Sequence, residues 1–229
     1  GASQVTIWLP AYFCNEALDP VRLLPAVLKF YPIREDLTPD WAVLEALVAR
    51  AQCPEVFVLV HYFGFPNAPK EARAFCDRHG MVRLEDAAHM LMPTAGVGSG
   101  DLMIFSPRKL LAVPSGGVLL ASAELAASLD APAGDDARWE TISWIIRRFT
   151  RGVLGGLNIP RRLLRIPSGR RTYPELTHLR SSAQQAGCDT YALRLLTVMG
   201  RQINEVAQRR RQNYARLLDW AASLSLCPE

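Results

Sequence analysis

Lysine is nearly missing from this chain. Of 26 basic residues in 229, only Lys29, Lys70 and Lys109 are lysines, and arginine supplies the rest. The five cysteines (14, 53, 76, 188 and 227) are scattered without a C-x-x-C pair. That spacing speaks against a metal site or a disulfide framework and fits a reducing cytoplasm. No apolar run approaches the roughly 20 residues a membrane helix requires. The N-terminus also lacks the basic stretch, apolar core and small-residue site of a secretory signal. A net charge of +4 is modest. Basic and aromatic residues do not interleave as nucleic-acid-binding surfaces do, so neither nucleic acid nor membrane is an expected partner. Arginines crowd between Arg147 and Arg171 and again at Arg209-Arg210-Arg211. Solvated helix faces account for them, and so does a surface for phosphate-bearing ligands.

What the chain does contain is alternation. Val5–Leu9, Ala26–Tyr31, Val56–Val60, Met81–Leu84, Leu102–Phe105 and Val118–Ala121 read as strands. Val56–Val60 is uninterruptedly apolar, as in parallel strands buried on both faces. Trp41–Ala51 has helical spacing, and Pro69–His79 is a helix closed by Gly80, the residue type expected just past a helix end. Strand–helix–strand order at this spacing predicts an α/β fold with a largely parallel sheet. After Leu125 the strand signals fade. Trp139–Phe149 reads as a helix, and Thr190–Leu224 as a long helix bent near Gly200. The change of character near Asp130 marks a domain edge or a switch to helices that cover the sheet.

Two chemistry-bearing residues fall at strand ends, where α/β sheets bind ligands. Asp86 closes the Met81–Leu84 run, and the rare Lys109 follows Leu102–Phe105. A carboxylate for a pyridine nitrogen and an amine for an aldehyde are what a pyridoxal 5′-phosphate (PLP) site needs. Taken singly, Asp86 equally suits a helix cap and Lys109 a solvated surface.

The wording around them is more specific than their spacing. Leu84-Glu85-Asp86-Ala87-Ala88-His89, the Val97-Gly98-Ser99-Gly100-Asp101 turn, Phe105-Ser106, and Lys109 followed by Gly116-Gly117 closely resemble the DegT/DnrJ-type sugar aminotransferases, which are fold-type I PLP enzymes. Leu9-Pro10-Ala11-Tyr12, Val60-His61-Tyr62-Phe63-Gly64 and Arg209-Arg210-Arg211-Gln212-Asn213-Tyr214 fall in the family's expected order. The resemblance implies the mostly parallel sheet of an aspartate aminotransferase-like large domain over residues 1–130. A helical region at 131–229 would lead into a truncated small domain. It makes Lys109 the Schiff-base lysine and Asp86 the partner of the pyridine nitrogen. It places His89 against the cofactor's ring hydroxyl, Ser106 against the phosphate and Phe13 (or Cys14) against the ring face. It further implies an amino-acid donor such as glutamate, a nucleotide-linked keto-sugar acceptor and a homodimer, with Trp139, Trp144 and Phe149 in the interface region.

Three departures accompany the match. Only Pro107-Arg108 separate Ser106 from Lys109, fewer residues than the family has there. The upstream Gly-Thr/Ser segment that opens a phosphate-binding helix is not found, so the large domain is expected to lack that element. The family's Gly-x-Asn-x-Arg stretch has only a loose echo at Gly156-Leu157-Asn158-Ile159-Pro160-Arg161. These features suggest an internal portion of a longer enzyme or an unusually short relative. A cofactor-free binding or scaffold subunit is the alternative from another class. Sugar dehydratases of this fold replace the lysine with histidine, and Lys109 argues against that reaction.

Overall fold

A computed structural model describes residues 4–50, 53–94, 97–98, 100–129, 139–155 and 188–224. Six strands form one sheet: β1 (Val5–Pro10), β2 (Ala26–Tyr31), β3 (Val56–Val60), β4 (Val82–Asp86), β5 (Leu102–Phe105) and β6 (Val118–Ala121). Their spatial order is β2-β1-β3-β4-β5-β6. Every neighbouring pair from β2 to β5 is parallel, and β6 returns antiparallel on β5. The α/β class with a mostly parallel sheet is thus as the sequence pattern predicts.

Helices α1 (Asn15–Leu18), α2 (Trp41–Arg50) and α3 (Pro69–His79) connect the first four strands. Proline at the start of α3 has a locked φ and needs no amide partner there. Gly80 ends the helix in the left-handed region at φ 66°, a conformation with no Cβ penalty for glycine.

The alternating side chains of β3 build two cores at once. Phe57 and Leu59 face a cluster with Trp8, Tyr31, Leu44 and Phe75. Val58 faces Leu9 and Leu18 on the other side. Phe57 stacks on Tyr31 at 4.9 Å between ring centroids and meets Phe75 edge-on at 5.5 Å. Tyr31 satisfies its buried hydroxyl by donating to the Val58 carbonyl at 2.7 Å. Burial of each such large side chain stabilises the fold by roughly 1.5–3 kcal/mol. The centre of the sheet is therefore closely packed on both faces, and the site stands on its carboxyl edge.

Three elements differ from their sequence expectation. β4 starts one residue later than expected and runs on to Asp86, because Glu85 and Asp86 are in register with β3 and β5 on both sides. The long C-terminal helix is two helices, α6 (Thr190–Gly200) and α7 (Ile203–Ser223). After Gly200 the chain closes with Arg201 and Gln202 amides on the Val198 and Met199 carbonyls, tighter i→i+3 bonds that end α6. In chain order α4 (Ala123–Ala126) and α5 (Trp139–Gly155) precede them, the latter longer than its predicted span. The expected boundary at 130 and the 156–161 segment lie outside the described residues, as does the side chain of Trp139.

Asp189 fastens the helical part to the sheet. Its buried carboxylate caps α6 by accepting from the Ala192 amide at 2.8 Å. It also accepts from Thr141 of α5 at 2.5 Å and from Ser115, ahead of β6, at 3.2 Å. Burial would raise its pKa, but these hydrogen bonds outweigh burial and hold it below the ordinary value.

Candidate active site

Parallel strands leave their carboxyl ends open, and here four successive ends surround one cleft of about 190 Å³. Tyr12, Phe13 and Cys14 come from the segment after β1, and His61, Tyr62 and Phe63 from the turn after β3. Asp86 is the last residue of β4, with Ala88 and His89 just beyond it. Lys109 comes from the 3-10 turn Pro107–Lys109 after β5.

Four of the five site residues named from sequence thus meet: Phe13, Asp86, His89 and Lys109. Ser106 is not among the described residues that line the cleft. It precedes the 3-10 turn, and its carbonyl accepts the Lys109 amide at 3.0 Å. Cys14, the alternative to Phe13, lines the cleft as well.

The electrostatics are mixed and local. Asp86 is half-buried, and one carboxylate oxygen accepts the Ala88 amide at 3.0 Å. Lys109 is exposed, and its Nζ lies 3.3 Å from His89 Nε2. Partial burial lowers the His89 pKa, the Lys109 charge lowers it further, and Asp86 opposes both. A neutral imidazole accepting from the Lys109 ammonium is the consistent state. Tyr62 is pushed up by burial and by the Asp86 charge, so it stays a donor, and its hydroxyl bonds the Tyr12 carbonyl at 2.6 Å.

The turn after β3 is strained. Phe63 adopts φ 56°, rare for a bulky residue, and its ring lies parallel to His89 at 6.3 Å. At Gly64, φ is 89°, and a Cβ there would sit 2.7 Å from the His89 carbonyl oxygen. Only glycine lets this turn approach the His89 backbone so closely. Beneath it, His61 and Glu85 form a fully buried pair, with Nε2 and Oε2 2.9 Å apart. The sequence flags this pair only weakly, as two ionisable residues at adjacent strand ends.

This donor set suits the ring half of PLP. It offers a carboxylate, an amine, an imidazole and aromatic faces around one cleft, the groups that a pyridine nitrogen, an aldehyde and a planar ring require. Among the described residues, no group of three or more His, Cys, Asp or Glu could hold a metal ion. No described helix is long and apolar enough to cross a membrane.

Residues 21–129, which carry Asp86, His89, Ser106 and Lys109, match the model of the DegT/DnrJ/EryC1/StrS aminotransferase family. This segment is of the DegT/DnrJ type. Among solved structures, S. venezuelae DesV in complex with a ketimine intermediate is similar over 95% of this chain, at 19% identity and a TM-score of 0.58. At that identity the likeness shows the fold. DesI in the presence of its TDP-sugar product is 26% identical over 55% of the chain, with a TM-score of 0.47. Helicobacter pylori PseC, an aminotransferase involved in pseudoaminic acid biosynthesis, is 19% identical over 55%, also at 0.47. The chain spans 51% of DesV, 34% of DesI and 35% of PseC. No curated protein matches it.

Proposed function

We propose that this chain is the PLP-binding part of an aminotransferase that moves an amino group from an amino acid, glutamate in the first instance, to a nucleotide-linked keto-sugar. The observation that carries the reading is the convergence of Asp86, His89 and Lys109 on one cleft, within a segment matched to an aminotransferase family.

When bound, PLP supplies an aldehyde and an electron-accepting pyridinium ring. Asp86 would keep the ring nitrogen protonated, as a carboxylate favours a neighbouring cation. Lys109 would hold the aldehyde through its amine and, once displaced, carry a proton between the reacting carbons. Its 3.3 Å contact gives that proton a neutral acceptor in His89, which would also face the ring hydroxyl. Phe13 would pack on the ring, and Ser106 would serve the phosphate only if its side chain reaches past the Pro107 turn.

The same reading takes residues 1–130 as the large domain and 131–229 as the start of the helical one. It places the protein in the cytoplasm, where the four described cysteines stay free thiols. It also makes the protein a homodimer. Ile142, Ile146 and Phe149, all exposed and spaced along one face of α5, support an interface there.

Purified protein incubated with PLP should turn yellow, and the colour should bleach when an amino acid is added. Lys109→Ala should abolish the colour. A protein that stays colourless and retains no PLP would overturn the enzyme reading and favour a cofactor-free binding subunit.

A further inference from the structure

We propose that His61 and Glu85 are positioning residues of the site, forming a buried carboxylate–imidazole bridge that fixes the strand ends bearing Asp86 and His89. This inference rests on the reading that the cleft takes PLP.

The hydrogen bonds determine the tautomer. His61 Nδ1 accepts the Asn67 amide at 3.1 Å, so it carries no proton. The proton therefore sits on Nε2 and is donated to Glu85 Oε2 at 2.9 Å. The Gly98 amide donates to the same oxygen at 3.1 Å, and Arg83 Nη2 lies 3.5 Å from Oε1. Both side chains are fully buried. Burial alone would raise the Glu85 pKa, but the bonds from His61 and Gly98 and the Arg83 charge hold it below the ordinary value. An unpaired buried carboxylate is costly, and here the pairing ties β3, β4 and the turn at 97–98 to one anion.

The glycine turn is shaped to this anion. A Cβ on Gly100 would fall 2.8 Å from Glu85 Oε1 and 3.0 Å from its Cγ, so the turn closes over the carboxylate. From the bridge the constraint passes to the cleft by two short routes. The His61 amide donates to the Asp86 carbonyl at 2.9 Å. The turn that follows His61 packs on His89, through the close approach of Gly64 to its carbonyl and of Phe63 to its ring. Asn67 pins the far side by donating its side-chain amide to the Leu37 and Val60 carbonyls. Both ring nitrogens of His61 are occupied, so His61 lines the cleft without offering it a proton. Its effect is exerted through Asp86 and His89.

The test combines variants with nitrogen-detected NMR on the full chain. In cofactor-free protein, the neutral ring of His61 should carry its proton on Nε2 and leave Nδ1 bare. A neutral ring with its proton on Nδ1 overturns the proposal. Glu85→Gln leaves the shape but places an amide donor among donors. It should weaken PLP binding at least tenfold and move the His89 midpoint in cofactor-free protein by about half a unit or more. His61→Leu should behave likewise, whereas His61→Gln, which keeps a donor toward Glu85, should stay close to wild type. If both Glu85→Gln and His61→Leu lower the melting temperature yet leave PLP affinity and the His89 midpoint unchanged, the pair is merely structural and the proposal is wrong. Wild-type protein that takes up no PLP would overturn the functional reading instead, and the His89 midpoint then decides the positioning role alone.

Discussion

The amine of Lys109 and the imidazole of His89 stand within hydrogen-bonding distance, 3.3 Å apart, although twenty residues separate them in sequence. They come from different strand ends, and neither is placed by the other. His89 therefore reports on the charge of Lys109.

That coupling gives a titration experiment. The His89 midpoint should lie below the ordinary 6.5, because burial and the Lys109 charge both disfavour the imidazolium. Lys109→Met should raise it and Asp86→Asn should lower it further, since Asp86 pulls in the opposite direction. A folded-state value below the unfolded one makes His89's contribution to stability full above about 6.5 and lost as pH falls through the folded midpoint. NMR titration of the imidazole in the three proteins checks all three directions.

Gly64 and Gly80 both have positive φ, but only Gly64 is crowded. Gly80→Ala should cost about 1–2 kcal/mol, the penalty of a left-handed backbone alone. Gly64→Ala adds a clash with the His89 carbonyl and should cost about 3 kcal/mol or more. Denaturant unfolding measures both, and only Gly64→Ala should also shift the His89 resonances.

Phe57 sits between Tyr31, Trp41 and Phe75 with no exposed surface. Phe57→Ala should destabilise the protein by about 3–5 kcal/mol. Tyr31→Phe removes one buried hydrogen bond to the Val58 carbonyl and should cost only about 1 kcal/mol. The ratio of the two, read from unfolding midpoints at constant slope, tests whether packing or polarity dominates this core.

Asp189 predicts an acid limb. Its depressed pKa makes its stabilisation complete above the unfolded carboxylate value of about 4 and lost as pH falls through the folded value. Asp189→Asn should therefore lower stability at neutral pH and flatten its loss as pH falls below about 4. Far-ultraviolet circular dichroism across an acid titration follows both changes.

The sheet was readable because apolar runs such as Val56–Val60 have one physical destination, the middle of a parallel sheet. Asp86 and Lys109 stood out only through the residues around them, since singly each has an ordinary structural reason to be there. The extra length of β4 was not readable, since Glu85 and Asp86 break the apolar pattern while their backbones still pair. Nor was the partnership of His61 with Glu85, because a buried ion pair follows from three-dimensional register and not from spacing along the chain. Ser106 shows the reverse case. Residue type and order pointed to it, yet the turn opened by Pro107 takes Lys109 to the cleft and leaves the serine behind.

Asp189 has a mechanical consequence as well. Three elements distant in sequence, the segment at 115, α5 and α6, meet on a single carboxylate. Losing that one acid would therefore loosen three chain segments together, because each gives up a hydrogen bond to the same group.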